Sequence, residues 1–217
     1  MSLWVKVCGL RTGADVEAAV AAGADAIGFV FAPSKRRVTP EQARLAAQGA
    51  PAQVRKVAVF LHPTQTELDE VLAGFRPDIV QTDASDFAAL QLPEGIECLP
   101  VVRVGGGIAS KLAPTGQLAP TGQLAPTGAV LFEGPRSGAG EVADWAAAAT
   151  LAAQTRVVLA GGLHAGNVGA AIAAVRPWGV DVSSGVEGAP GVKDAALIHE
   201  FLKAARRATA HAAASTV

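Results

Sequence analysis

The chain has 217 residues, of which 50% are hydrophobic and 17% are charged. This composition supplies enough apolar side chains for a large core and excludes an intrinsically disordered chain. The formal net charge is −1, so no global field draws the chain to nucleic acid or to an anionic membrane surface.

The beginning of the chain and its apolar runs predict neither secretion nor membrane insertion. No basic segment followed by an apolar run precedes the first predicted strand at Trp4, which argues against a signal peptide. No uninterrupted apolar stretch approaches the ~18 residues of a membrane span. The two cysteines, Cys8 and Cys98, lie far apart in sequence, so a metal-ligand pair is not expected and a disulfide is not required. A cytoplasmic protein is therefore expected.

Short runs rich in β-branched residues alternate with alanine-rich helical stretches, which is the pattern of βαβ units around a parallel sheet. The eight predicted strands are, in chain order, Trp4–Val7, Ala26–Phe31, Lys56–Phe60, Asp78–Gln81, Glu97–Val102, Ala129–Phe132, Arg156–Ala160 and Val180–Val182. The count of eight favours an α/β fold, a single-domain (βα)8 TIM barrel, over a doubly wound open sheet with the same alternation. The barrel is expected to span residues 1–207, and the small and polar residues 208–217 are expected to form a disordered tail.

Three predicted helices begin with a threonine that is followed three residues later by a side chain with an acceptor oxygen. These pairs are Thr12 with Asp15, Thr39 with Gln42, and Thr64 with Glu67. Such pairs bond the unpartnered N–H groups of a helix start. Pro40 is expected at the first position of its helix. Gly23 and Gly74 are expected at helix C-termini.

A tandem repeat interrupts the alternation after the fifth predicted strand. Residues 112–128 read LAPTGQ, LAPTGQ, LAPTG, and their prolines and glycines break any regular helix. The fifth helix is therefore expected to be short or replaced by an irregular loop. Expansion of a short repeat in a tolerant surface loop is favoured over a functional motif. Three glycines at 105–107 resemble an anion loop only weakly, because no helix start follows them.

Alternation along the strands predicts which side chains point into the barrel. The valines beside Lys6 suit packing against helices, so Lys6 and Cys8 are expected to point inward, and the same reasoning turns Asp181 and Glu133 inward. Active sites of such barrels lie at the C-terminal ends of the strands, and inward charges are expensive unless they are used or paired. Structural roles remain open at this point: Cys8 as a plain core cysteine, Lys6 with Asp181 as an ion pair, and Glu133 as a solvated loop residue.

Two glycine-rich loops, after the seventh and eighth strands, predict a phosphate site. Barrels commonly hold phosphate there, because glycines let backbone N–H groups approach and a short helix start supplies a favourable dipole. The candidate donors are Gly161, Gly162, Ser183, Ser184 and Gly185. Asn167 is expected to be a local cap or loop anchor rather than a ligand.

Four stretches resemble the phosphoribosylanthranilate isomerase family of tryptophan biosynthesis. They are KVCG at 6–9, GFVFAPSKRRV at 28–38, LAGGL at 159–163 with Asn167–Val168, and GVDVSSGVE at 179–187 followed by PGVKD at 190–194. The last stretch is the most specific, and together they reach from one end of the chain to the other.

The resemblance implies an Amadori rearrangement of N-(5'-phosphoribosyl)anthranilate to 1-(2-carboxyphenylamino)-1-deoxyribulose 5-phosphate, with no metal or organic cofactor. By the same resemblance, Cys8 is the general base at C2 of the ribosyl chain, and an acid after the sixth strand protonates the furanose oxygen. Arg36 holds the anthranilate carboxylate, while Lys6, Gln81 and Asp181 contact the substrate. The expected partner is therefore a phosphorylated small molecule, bound by a monomer or homodimer.

General chemistry supports these roles. Ring opening needs a proton donor and the following step needs a base. A thiol beside Lys6 gains thiolate character from the cation, and the planar fork of an arginine suits a carboxylate. Without the motif, Lys35, Arg36 and Arg37 would be read as a solvated basic cluster.

The chain departs from the family pattern at two positions. Glu133 stands where the family has an aspartate as its acid, and the extra methylene displaces a proton donor unless the backbone shifts. The family reads Gln-Leu-His-Gly after the fourth strand, where residues 81–84 read Gln-Thr-Asp-Ala. Gln81 is therefore retained and the histidine is not, which makes Asp83 an alternative acid.

Two other functions compete with this interpretation. One is a broader sugar-phosphate isomerase that also acts on an aminoimidazole ribonucleotide of histidine biosynthesis, which the single phosphate site and Cys8 disfavour. The other is a catalytically weakened barrel that only binds a phosphorylated ligand.

Overall fold

The computed structural model describes residues 3–103, 128–134 and 143–214. Eight parallel strands form a closed barrel in which each strand pairs with the next and the eighth pairs with the first. They are β1 Trp4–Cys8, β2 Ala26–Val30, β3 Arg55–Val59, β4 Ile79–Asp83, β5 Glu97–Arg103, β6 Ala129–Glu133, β7 Arg156–Leu159 and β8 Gly179–Val182. The predicted TIM barrel and all eight predicted strands are confirmed. The largest difference is at β4, which extends to Asp83 rather than ending at Gln81.

Helices follow the strands around the outside of the barrel. They are α1 Gly13–Ala21, α2 Pro40–Ala46, α3 Gln65–Phe75, α4 Trp145–Ala152, α5 Val168–Val175 and α6 Ala195–Ala214, with a 3-10 turn at Asp86–Ala88. The three predicted capping pairs are confirmed, since each threonine hydroxyl accepts the N–H of its partner and each partner side chain accepts the N–H of the threonine. Pro40 opens α2 as expected.

Of the two glycines expected at helix C-termini, only one has that role. Gly23 follows α1 with a φ of 89°, which suits a residue without a Cβ. Gly74 instead lies within the last turn of α3, and Arg76 is the left-handed residue that ends this helix. A Cβ on Gly74 would lie 2.7 Å from the Cβ of Pro40 in α2. Close packing of two helices, rather than helix termination, therefore accounts for this glycine.

The core has two layers, separated by the wall of the barrel. Outward side chains such as Val5, Val7 and Phe132 pack against the helices. Inward side chains such as Leu99 and Leu131 fill the barrel. The predicted alternation of inward and outward side chains is confirmed for β1 and β6, and it turns Lys6 into the interior with no exposed surface.

Some expectations differ from the structure or fall outside the described residues. Between β8 and α6 the chain forms a hairpin of β9 Glu187–Ala189 and β10 Val192–Lys193, which the sequence pattern does not predict. The last helix continues to Ala214, past the predicted boundary at 207, and residues 215–217 lie outside the described part of the chain. The repeat at 112–128, apart from Gly128, and the glycines at 105–107 also lie outside it. Every helix in the described part of the chain is too short or too polar to span a membrane.

Candidate active site

A buried ion pair joins β1 to β8. Lys6 and Asp181 are register partners in the two strands, and Lys6 Nζ donates to Asp181 Oδ1 at 2.9 Å. Burial alone would lower the pKa of Lys6, but the Asp181 carboxylate and the Cys8 thiol raise it above its usual value. Burial raises the pKa of Asp181, while Lys6 opposes that shift. The structure thus contains the ion pair that the sequence left open, and it lies directly beside Cys8.

Cys8 ends β1, on the same face as Lys6. Burial raises the pKa of its thiol, and the Lys6 ammonium group partly counteracts that effect. Gly28 in β2 is its register partner. A Cβ on Gly28 would lie 3.1 Å from Cys8 Sγ and 3.0 Å from Lys6 Cε. A glycine at this position therefore leaves the space that the thiol and the ammonium group occupy.

Arg36, in the loop after β2, is bound by a carboxylate from the hairpin that follows β8. Its Nε donates to Glu187 Oε1 at 2.6 Å and its Nη2 donates to Glu187 Oε2 at 3.0 Å. Glu187 also accepts from Lys193 Nζ at 2.8 Å and from the Gly191 N–H at 3.0 Å. Burial alone would raise the pKa of Glu187, but these donors lower it to about 2. Sequence reasoning assigned no role to Glu187 or Lys193, although both lie in the most specific family stretch.

The two predicted phosphate loops lie side by side. His164 and Gly185 form an isolated bridge between them. A Cβ on Gly185 would lie 1.9 Å from the Leu163 carbonyl oxygen, so only glycine allows this approach. The predicted anchoring role of Asn167 is confirmed, because its Nδ2 donates to the Gly162 carbonyl at 2.9 Å and its Oδ1 accepts the His164 N–H at 2.8 Å.

Single residues of these loops have properties that suit an anion site. Gly161 and Gly162 both have positive φ, at 91° and 61°. Glycine adopts this backbone conformation without strain, so the N–H groups can point in directions that other residues rarely allow. Ser183 is tied to Lys193, whose Nζ donates to the Ser183 carbonyl at 2.8 Å. Ser184 and Gly185 follow in the same loop, half-buried.

A second polar group lies at the ends of β4, β5 and β6. Arg103 binds Asp83 through Nη1 and binds Glu133 through Nη2, with an Nη2–Oε1 distance of 2.6 Å. Gln81, two residues before Asp83, is buried, and its Oε1 has no hydrogen-bond partner among the described residues. A buried acceptor of this kind suits a donor on a ligand.

The rim therefore has two chemically different sides. Cys8, Lys6 and Asp181 meet at β1 and β8, next to Arg36 and the phosphate loops, whereas Glu133 and Asp83 meet at Arg103. Within the described ranges, no group of three or more His, Cys, Asp and Glu side chains is arranged to hold a metal ion. The structure is thus a (βα)8 barrel with polar and charged side chains gathered at the C-terminal ends of its strands, where enzymes of this fold have their active sites.

The family model described as N-(5'phosphoribosyl)anthranilate (PRA) isomerase matches residues 5–204. The chain belongs to this family. It is 41% identical over 201 residues to N-(5'-phosphoribosyl)anthranilate isomerase of Streptococcus pneumoniae serotype 19F (strain G54), covering 92% of this chain and 94% of the relative. It is 42% identical over 212 residues to the Bordetella petrii enzyme of the same name, covering 94% and 95%.

Solved structures agree with this assignment. Phosphoribosyl anthranilate isomerase from Thermus thermophilus superposes with a TM-score of 0.77 at 31% identity, covering 93% of this chain and 98% of that one. A phosphoribosyl anthranilate isomerase in complex with reduced 1-(o-carboxyphenylamino)-1-deoxyribulose 5-phosphate gives 0.74 at 31% identity, covering 94% and 99%. The predicted isomerase function in tryptophan biosynthesis, an Amadori rearrangement of N-(5'-phosphoribosyl)anthranilate, is thereby confirmed.

Proposed function

We propose that this chain performs the rearrangement with Cys8 as general base and Glu133 as general acid. The observation that supports this proposal is the division of the rim. A thiol beside an ammonium group lies on one side, and a carboxyl group held by a guanidinium lies on the other. A sugar between them would meet a base and an acid on different sides, which the two proton transfers require.

The proposed reaction has two proton-transfer steps, after which proton exchange with water returns Glu133 to its acid form and Cys8 to the thiolate. Glu133, protonated on the carboxyl oxygen that Arg103 does not hold, gives its proton to the furanose oxygen, the bond between that oxygen and C1 breaks, and the nitrogen lone pair forms a protonated Schiff base. The Cys8 thiolate then removes the proton from C2, and the electron pair moves to give an enolamine that tautomerises to the ketone. Lys6 favours the thiolate because a nearby cation stabilises the charged form.

Arg36 is the proposed site for the anthranilate carboxylate. A guanidinium has five N–H donors, and Glu187 accepts from the one on Nε and from one of the two on Nη2. The edge formed by the two terminal nitrogens is the part that suits a second carboxylate, bound through two parallel bonds. Glu187 therefore orients the guanidinium for the substrate.

The remaining contacts follow from the same arrangement. The backbone N–H groups of Gly161, Gly162 and Gly185 and the hydroxyls of Ser183 and Ser184 would bind the phosphate. Gln81 offers its buried Oε1 to a hydroxyl or N–H of the substrate. Asp181 and Lys6 would contact the ribosyl chain beside Cys8. No metal or organic cofactor enters these steps.

Turnover of freshly generated phosphoribosylanthranilate by the wild type, Cys8→Ala and Glu133→Gln tests the proposal. Both substitutions are expected to lower kcat by about 100-fold or more, the scale for losing a general acid or base. Cys98→Ala is the matched control, because Cys98 is a buried cysteine in the outer layer of the core. A wild type that binds a product analogue without turnover would favour the binding-only barrel. An active Glu133→Gln variant would place the acid elsewhere, with Asp83 tested next.

We further propose that the enzyme acts in the cytoplasm as a monomer or homodimer. One solved structure is of monomers generated from the dimeric isomerase of Thermotoga maritima; it is 32% identical to this chain, with a TM-score of 0.74. Sedimentation equilibrium over a range of protein concentrations measures the state directly. A larger assembly would contradict the proposal.

A further inference from the structure

One guanidinium bridges the two carboxylates that are candidates for the acid. Arg103, at the end of β5, binds Asp83 from β4 and Glu133 from β6. Arg103 and Glu133 are register partners in adjacent strands. The three side chains are 16%, 17% and 12% exposed, so all are largely withdrawn from water.

A histidine lies near the other carboxylate oxygen of Asp83. His62, after β3, places Nε2 3.7 Å from Asp83 Oδ2 and Nδ1 3.0 Å from Asp86 Oδ1. Asp86 in turn accepts from the buried Thr82 hydroxyl at 2.6 Å. Polar side chains thus extend from the wall of the barrel, past Asp83 and Arg103, to Glu133.

We infer that Arg103 and Asp83 are positioning residues for the Glu133 carboxyl group. This inference rests on the proposed role of Glu133 as the acid. A glutamate has one more rotatable bond than an aspartate, so its carboxyl group needs additional restraint to reach one point reproducibly. The planar fork of Arg103 supplies this restraint at Oε1, and Asp83 fixes the plane of the fork by holding the other terminal nitrogen.

A purely structural role explains the cluster less well. Pairing of largely buried charges often adds little net stability, because the loss of their hydration offsets their attraction. The barrel has a pair of the same chemistry near the opposite ends of the strands, where Arg55 in β3 binds Glu97 in β5 at 2.7 Å. That pair joins two strands without any candidate catalytic group, whereas the Arg103 pairs converge on Glu133. The Arg55 pair is therefore a matched control.

The test is a double-mutant cycle in which kcat and KM are measured separately. Asp83→Asn keeps the shape of the side chain and removes its charge. It is expected to lower kcat by about 10- to 100-fold with little change in KM, because misplacing a reacting group slows chemistry more than binding. In the Glu133→Gln background, Asp83→Asn is expected to have no further effect, since Asp83 acts through Glu133. Glu97→Gln is expected to leave both constants near the wild-type values.

Two substitutions of Arg103 test its role. Arg103→Met is expected to lower kcat as Asp83→Asn does, and Arg103→Lys to recover part of that loss by keeping a cation without the fork. Equal losses of kcat from Asp83→Asn in the presence and absence of Glu133, or no loss at all, would overturn the positioning role alone. Full turnover by Glu133→Gln would overturn the acid role and this inference together.

Discussion

Arg36 and Glu187 form a two-bond ion pair although they are 151 residues apart in the chain. The pair connects the loop after β2 to the hairpin after β8, across the end of β1. A Cβ on Gly9, the residue after β1, would lie 2.6 Å from Arg36 Cδ. The guanidinium therefore crosses the end of β1 with its orientation set by Glu187.

Glu187→Gln is expected to raise KM for phosphoribosylanthranilate by about 10-fold or more, equivalent to roughly 1.4 kcal/mol of lost binding. The reason is that Arg36 loses the charge that aligns it with the substrate carboxylate. Affinities of the reduced product analogue, and of the same compound without its carboxylate, should be measured by calorimetry. The substitution should weaken the first and leave the second nearly unchanged. Equal weakening of both would contradict the assignment of Arg36.

The low pKa of Glu187 predicts a specific loss of stability in acid. Its pKa falls from the usual 4.5 to about 2 in the folded protein, so the folded state binds fewer protons between these values. Glu187 thus contributes stability above pH 4.5 that is lost as the pH falls toward 2. To check this, the free energy of unfolding of the wild type and of Glu187→Gln should be measured by chemical denaturation at several pH values between about 5 and about 2. The variant should lose less stability than the wild type over this range, and parallel curves would contradict the prediction.

The contact between the two phosphate loops predicts that alanine substitutions at Gly185 and at Gly188, three residues apart, have very different effects on phosphate binding. Gly185→Ala would place a Cβ 1.9 Å from the Leu163 carbonyl oxygen, which is backbone and cannot move aside cheaply. Gly188→Ala would place a Cβ 3.5 Å from Asp194 Oδ2, an ordinary contact. Affinity for inorganic phosphate, measured by calorimetry, should fall strongly in the first variant and little in the second. Similar affinities in the two variants would show that the loops do not form the phosphate site.

The sequence predicts the elements of this fold because their causes are local. Alternating valines around Lys6 and Cys8 determine which side of β1 faces the helices, and threonine caps start α1, α2 and α3 within a few residues. Contacts between segments that are far apart in the chain cannot be predicted from such local patterns. Gly74, for example, has the sequence context of a helix terminator, but its role is to allow α3 to pack closely against Pro40.

The residues of the candidate site likewise divide into those that the sequence predicts and those that it does not. Lys6 and Asp181 are predictable as inward charges, because each lies between outward valines in its own strand. Arg103 and Glu187 are not, since an isolated charged residue at the end of a strand is most often solvated. Their importance depends on partners from distant parts of the chain, Glu133 for Arg103 and Arg36 for Glu187, which only the closed barrel brings together.

The environment of Cys8 predicts how its reactivity depends on pH. Burial raises the pKa of the thiol above its usual 9.0 and Lys6 lowers it in part, so the thiolate fraction is small at neutral pH and increases with pH. In a Cys98→Ala background, alkylation of Cys8 by iodoacetamide should continue to accelerate beyond pH 9.0, measured by mass spectrometry of quenched samples. Replacing the buried pair together, as Lys6→Met with Asp181→Asn, should slow alkylation at a given pH, because the lowering of the Cys8 pKa by Lys6 is larger than the opposing effect of Asp181 and both are removed. A rate that levels off below pH 9.0, or no slowing in the double variant, would show that burial and Lys6 do not control this thiol.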